Sequence, residues 1–109
     1  MAMKPLVFEI LLALADRPRH GWDLVGDVEA RLGGETLLPG NFYRTLRRML
    51  ADGLIEEATA PKNAADDFFA ERRRYFRLTT SGESVARAEA RRLAALVADR
   101  RTRRLLKAR

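Results

Sequence analysis

The 109-residue sequence contains no cysteine and a single histidine, His20. Without thiols there is no disulfide framework, no thiolate zinc site and no cysteine nucleophile, and a reducing cytoplasm is the compartment that fits. A lone histidine without paired carboxylates nearby is poor material for a metal centre or for acid-base catalysis. Its place beside Gly21 at a helix start predicts a structural or capping role instead. The chain also lacks a glycine-rich phosphate loop, a metal-ligand cluster and a nucleophile with its base, so no catalytic residue is assigned, no metal or cofactor is expected, and the protein is not read as an enzyme. Long apolar runs are missing too. The nearest, "PLVFEILLALA" at 5–15, is interrupted by Glu9, falls short of the roughly 20 residues that span a bilayer and has no small-x-small cleavage site. A soluble intracellular protein with no membrane partner is therefore expected.

Positive charge is what the chain has in excess. Lys and Arg number 21 against 15 Asp and Glu, giving a net charge of +6, which points to a polyanionic partner. Residues 1–55 hold 7 basic and 7 acidic side chains, whereas 56–109 hold 14 and 8, so the second half carries the whole excess. All the basic residues except Lys4, Lys62 and Lys107 are arginine, whose planar fork suits phosphates and base edges. The length allows one domain with a single modest core.

Residues 4–15 predict a helix with apolar groups nearly all round, and a second helix is expected over about 20–32, with Trp22, Val25, Val28 and Leu32 at helical spacing. Phe8 and Trp22 are expected in the core, since a domain this small builds its interior from its large aromatics. Gly33 and Gly34 end the second helix. In the third segment, "PGNFYRTLRRMLADGLI" at 39–55, Asn41 is a plausible cap. Phe42, Leu46, Met49 and Leu50 share one face of that helix, while Arg44, Arg47 and Arg48 take the opposite side with Tyr43 at the boundary. A solvated helix face usually mixes charge signs, and this one carries no acid until Asp52. "LIEEA" (54–58) and the alternating "RRYFRLT" (73–79) predict two strands joined by a loop, a hairpin with a projecting tip. "TSGE" (80–83) matches a capping box with Thr80 as cap, opening a last helix that runs to about 107. Such a helix, roughly 40 Å long, outreaches the body, and Ala86, Ala90, Leu93 and Val97, with Val85 and Leu96 beside them, form a seam for a partner helix.

Helix, helix, helix, strand, wing, strand, helix is the winged helix-turn-helix plan. The expected fold is mainly α with a small β-hairpin: a winged helix-turn-helix domain over 1–79 plus a long C-terminal dimerisation helix over 80–109, in one compact unit. "ILLALADRPRHGWDL", "GNFYRTLRRMLADGLI" and "RRRYFRLTTSGE", in that order and spacing, resemble the PadR family of bacterial transcriptional regulators in its short form with one C-terminal helix. The chain departs from the usual pattern at Trp22, where tyrosine is common, and at Arg44, where proline is frequent.

The resemblance implies a homodimeric, sequence-specific DNA-binding regulator, most often a repressor, on a roughly palindromic operator in double-stranded DNA. Asn41, Tyr43, Arg44, Arg47 and Arg48 would face the major groove, and Lys62, Arg72 and Arg73 flank a wing suited to the minor groove or its phosphates. Leu6 and Ile10 of the first helix, with Ala86, Ala90, Leu93, Leu96 and Val97 of the last, would meet their copies across a twofold axis. Some members of the family bind flat aromatic compounds between subunits, which adds a small aromatic effector to the partners implied. The tail "RRTRRLLKAR" (100–109) suits DNA or another anion, and equally the dipole at a helix C-terminus. The residues alone leave one alternative open: a protein-interaction module whose basic face meets an acidic partner.

Overall fold

A computed structural model describes residues 3–33, 37–59 and 74–107. The element order is α1 (Pro5–Ala13), β1 (Arg19–His20), α2 (Gly21–Arg31), α3 (Pro39–Ala51), β2 (Ile55–Ala58), β3 (Tyr75–Leu78), α4 (Thr80–Ala98) and α5 (Arg100–Lys107). Three helices followed by an antiparallel hairpin and a further helix make a winged helix-turn-helix, as the element order of the sequence predicts.

One core holds it together. Ile10, Leu11, Ala13 and Leu14 of the first helix and its exit meet Leu24 and Val28 of α2, Phe42, Leu46 and Met49 of α3, and Ile55 and Phe76 of the sheet. The three predicted core positions of α3 that are fully buried follow the expected spacing, with Leu50 half-buried beside them. Trp22, expected inside, is 69% exposed, because the inward face of α2 is set by Leu24 and Val28 and Trp22 lies off that stripe. Phe8 is half-buried, and Leu12, one turn on, is 44% exposed. α1 is therefore not covered all round: Pro5, Phe8, Leu12 and Ala15 fall on one side that the body leaves open. Ile10, by contrast, is fully buried in the chain's own core, which removes it from any surface a second copy could touch.

Two arginines fasten α1 to α2. Arg19, its side chain only 11% exposed, donates from Nε to the Ala13 carbonyl at 2.6 Å and pairs with Asp23 at 3.1 Å and Asp16 at 3.7 Å. Arg31 donates to the Glu9 carboxylate and carbonyl at 2.5 and 2.7 Å and pairs with Asp27. His20 caps α2, its Nδ1 accepting from the Asp23 backbone N–H at 3.2 Å, and stands edge-on to Tyr75.

The sheet has one strand more than the sequence predicts. β1 is only two residues long, too short to show a period, and pairs Arg19 with Phe76 and His20 with Tyr75, so the strand order is β1-β3-β2. On the other edge β2 and β3 pair Ile55 with Leu78 through Ala58 with Tyr75.

Helix ends account for three further differences. α3 begins earlier than expected, with Pro39 in the first turn and Leu38 as the cap residue, so Asn41 lies inside the helix. Its other end is a Schellman turn: Gly53, at φ +74°, donates to Leu50 O, and Leu54 donates to Met49 O. α4 is capped by Thr79 rather than Thr80. The Thr79 hydroxyl accepts from Gly82 N–H at 2.9 Å, and Glu83 pairs instead with Arg87 one turn on. The last helix is also not continuous. Asp99 adopts ψ 135°, ending α4 and starting α5, with Oδ1 accepting from Arg101 N–H at 2.8 Å.

α4 lies against α1 and β3. Gly82, Val85, Ala86 and Glu89 are its inward positions, buried or half-buried. Beyond Glu89 the same stripe runs out past the body, leaving Ala90, Leu96 and Val97 exposed and Leu93 half-exposed. The extents of 51 × 29 × 27 Å record that overhang.

Candidate nucleic-acid interface

α3 is held by its apolar side and presents the other. At about 100° per residue Arg44 points almost directly away from the Phe42, Leu46 and Met49 face, with Arg47 on one flank and Arg48 on the other. All three guanidiniums are exposed. Among the described residues no acid pairs with Arg44 or Arg47, whereas Arg48, with an 80% exposed side chain, reaches Asp52 at 3.3 Å. An ion pair that open to solvent is weak and gives way easily to a phosphate. Small residues, Gly40 and Ala51, complete the outward strip, so among the described residues nothing bulky on α3 keeps a flat surface from approaching it.

Each flank of α3 has a groove. Toward α2, Trp22, Val25, Leu37, Pro39, Phe42 and Tyr43 enclose an apolar hollow of about 260 Å³. Tyr43, 37% exposed, stands edge-on to Phe42 and close over the start of α2, where a methyl added to Gly21 would meet its ring and hydroxyl at 3.6 Å. Toward α1, a second hollow of about 310 Å³ is lined by Lys4, Asn41, Arg44 and Arg48 together with Thr45 and Asp52 over an apolar floor. Asn41 is exposed there, and its carbonyl accepts from the Thr45 hydroxyl at 2.9 Å. Lys4 is a cation of this face that sequence reasoning missed. Its position just before Pro5 was legible, but only packing of α1 beside α3 shows which side chains it joins.

The base of the wing is charge-balanced. Arg77 pairs with Glu56, its cross-strand neighbour, at 3.0 Å, and Arg74 pairs with Glu57 while its guanidinium sits 5.4 Å over the Phe76 ring. Such pairs add modestly to the cross-strand pairing of the hairpin. Lys62, Arg72 and Arg73 lie outside the described residues.

Of the seam residues, Ala86 packs against the chain's own core and Leu6 likewise, while Ala90, Leu93, Leu96 and Val97 occupy the overhanging part of α4. Among the described residues no group of His, Asp and Glu could hold a metal ion, and no helix is long and apolar enough to cross a membrane.

Arranged this way, the chain offers one helix with an exposed cationic side, a hairpin next to it and a core behind both. Residues 10–88 match the profile of the transcriptional regulator PadR-like family. The chain belongs to the PadR-like family. Its members are transcriptional regulators that bind DNA through a winged helix, and not enzymes. No curated protein matches the chain. Among solved structures it is similar to RosR of H. salinarum, at 23% identity and TM-score 0.69, covering 96% of this chain and 87% of that one. It is also similar to Bacillus subtilis PadR in complex with operator DNA, at 20% identity and TM-score 0.60, covering 80% of this chain and 47% of that one. The circadian clock associated protein Pex from Anabaena matches at 16% identity and TM-score 0.61, covering 84% of this chain and 76% of that one. At these identities the likeness is one of fold.

Proposed function

We propose that this PadR-like regulator works as a homodimeric, sequence-specific repressor on a roughly palindromic operator. The observation that carries the reading is the outward side of α3, where Arg44 and Arg47 are exposed and have no acid partner among the described residues. Arg44 and Arg47 reach base edges in the major groove, and Tyr43, Arg48 and Asn41 contact the backbone beside them. Lys62, Arg72 and Arg73 grip the neighbouring minor groove or its phosphates.

The second copy is supported by uncovered apolar surface at two places. Leu96 and Val97 on the α4 overhang are 50% and 59% exposed, and Leu12 on the open side of α1 is 44% exposed. Leu93, Ala90 and the Phe8–Leu12 side of α1 meet their copies. A twofold there sets two copies of α3 in successive major grooves, about 34 Å apart. An effector that releases the DNA acts by changing that separation or tilt.

Selection of genomic fragments by the purified protein, followed by binding assays with single variants, tests the reading. Arg44→Ala and Arg47→Ala should each cost about 1–3 kcal/mol on the selected fragment if they read guanine. Unchanged affinity in both, and in Arg48→Ala, would remove α3 as the reading helix.

A further inference from the structure

α5 is a helix without an obvious client. Its dipole accounts for only half of its cations: Arg104 and Lys107 fall in the last turn, where positive charge is favourable, but Arg100 and Arg103 fall in the first turn, where it is not. Arg100, Arg103, Arg104 and Lys107 stand at i, i+3, i+4 and i+7, which confines them to roughly a 100° arc. They line one concave surface of about 440 Å³, and all four are exposed. α5 contains no acid.

Asp99, the acid adjoining it, is already occupied. Its carboxylate accepts from Arg101 Nε and Nη2 at 3.2 Å each and from Arg101 N–H at 2.8 Å, bonds that hold it below the usual carboxylate range and so keep it anionic. Arg101 lies off the stripe. Among the described residues, the four cations on the stripe have no acid partner. Like charges at these spacings weaken a helix, and an anion laid along them removes that cost.

We propose that α5 is a second nucleic-acid contact, independent of base sequence, in which this stripe holds the phosphodiester backbone of duplex DNA outside the bases read by α3. The proposal rests on the DNA-binding reading above. Seven residues of helix extend about 10 Å. One strand of B-form DNA rises about 3.4 Å per phosphate while it winds about the axis, so neighbouring phosphates lie about 7 Å apart. The stripe spans about three of them only with its long side chains splayed beyond its ends. The arrangement fits a strand better than a lipid surface. Leu105 and Leu106, 74% and 73% exposed, lie on the side of α5 opposite the cations, so a bilayer that took up the leucines would leave the guanidiniums turned away from its headgroups.

The test is fluorescence anisotropy of a 30-base-pair random-sequence duplex, titrated with the full chain between 50 and 200 mM salt. Three phosphate contacts per chain contribute about 2.7 to the slope of log affinity against log salt. The variant R100A/R103A/R104A/K107A should therefore have a slope shallower by about that amount per chain, so that for each chain on the duplex wild type loses about 40-fold more affinity than the variant across the range. Its preference for a selected genomic fragment over the random duplex should be unchanged. The charge-conserving R100K/R103K/R104K variant should keep the wild-type slope, which separates lost charge from lost helix. An unaltered slope in the alanine variant overturns the proposal, as does an equally shallow slope in the lysine variant. So does wild type pelleting with phosphatidylglycerol vesicles and losing that ability in the alanine variant while duplex binding stays the same. Wild type that binds neither the random duplex nor any genomic fragment defeats the DNA-binding reading itself.

Discussion

Replacing Gly82 by alanine pits helix propensity against backbone packing, and the geometry decides the sign. In an open helix the change stabilises by about 1 kcal/mol, because glycine loses the most backbone freedom on folding. At Gly82 the added methyl would lie 1.9 Å from the Leu54 carbonyl oxygen and 2.9 Å from its carbon, well inside the 3.4 Å at which ordinary contact begins. Both are main-chain atoms, so α4 itself must move. That movement disturbs the Gly82 N–H bond to the Thr79 hydroxyl, 2.9 Å, and the Thr79 N–H bond to Leu54 O, 3.1 Å. Overpacking costs about 1–3 kcal/mol, and loss of the cap and of the bridging bond about 1 kcal/mol each, against the propensity gain of about 1. The net is a destabilisation of about 2–4 kcal/mol, or a fall in Tm of about 10–20 °C for a domain of this size. Gly26 provides the control: it sits in α2 with nothing within 4 Å of an added methyl, and Gly26→Ala should raise Tm by a few degrees. Helical circular dichroism followed through melting, at one fixed protomer concentration, reads both. A Gly82→Ala protein that melts with or above wild type would refute the close approach of α4 to the α3 exit.

Arg19→Ala should destabilise by about 2–4 kcal/mol in urea titration, since it strips a largely buried guanidinium from the Ala13 carbonyl and from Asp23, with Arg19→Lys recovering only part. A loss under 0.5 kcal/mol would count against the α1–α2 clamp. Leu96→Asp should leave the melting of the helical body nearly intact yet shift sedimentation from dimer to monomer, because Leu96 is already 50% exposed in the single chain. A dimer that survives it places the contact elsewhere. The pH dependence of Glu89 has a defined sign. Its carboxylate accepts two bonds from Arg92, at 2.8 and 2.7 Å, and these hold it below its ordinary value. With the folded value depressed, the stabilisation is fully present above the unfolded value of about 4.3 and is lost as pH falls through the folded value. Glu89→Gln should therefore lower Tm at pH 7 and converge on wild type in acid, and a gap that widens on acidification would contradict the pairing.

Periodicity made the helices and the hairpin readable. Phe42, Leu46 and Met49 repeat at the helical period with cations opposite, and that pattern survives folding because nothing else in the chain competes for that face. Trp22 went the other way. Its size suggested the interior, but the register of α2 is set by Leu24 and Val28, and side-chain volume does not override register. The strand at Arg19 and His20 was invisible because two residues carry no alternation, and its pairing is created by β3 from more than fifty positions away. Capping residues were misplaced by one position at Thr79 and by three at Leu38, since neighbouring threonines offer the same hydroxyl and Pro39 can open a helix without any side-chain cap. The break at Asp99 left no proline or glycine to announce it. Only the carboxylate turning back onto Arg101 N–H marks the place.

The two-residue strand has a mechanical meaning. It fastens the turn before α2 to the strand that returns from the wing, and β3 in turn feeds straight into the Thr79 cap of α4. A load applied to the hairpin is thus delivered to the root of α2, and from there through Gly21 and Tyr43 to α3, instead of being absorbed by a slack loop. The gap between α3 and the two strands of the hairpin is accordingly a fixed dimension of the body, like the span of a caliper whose jaws share one casting.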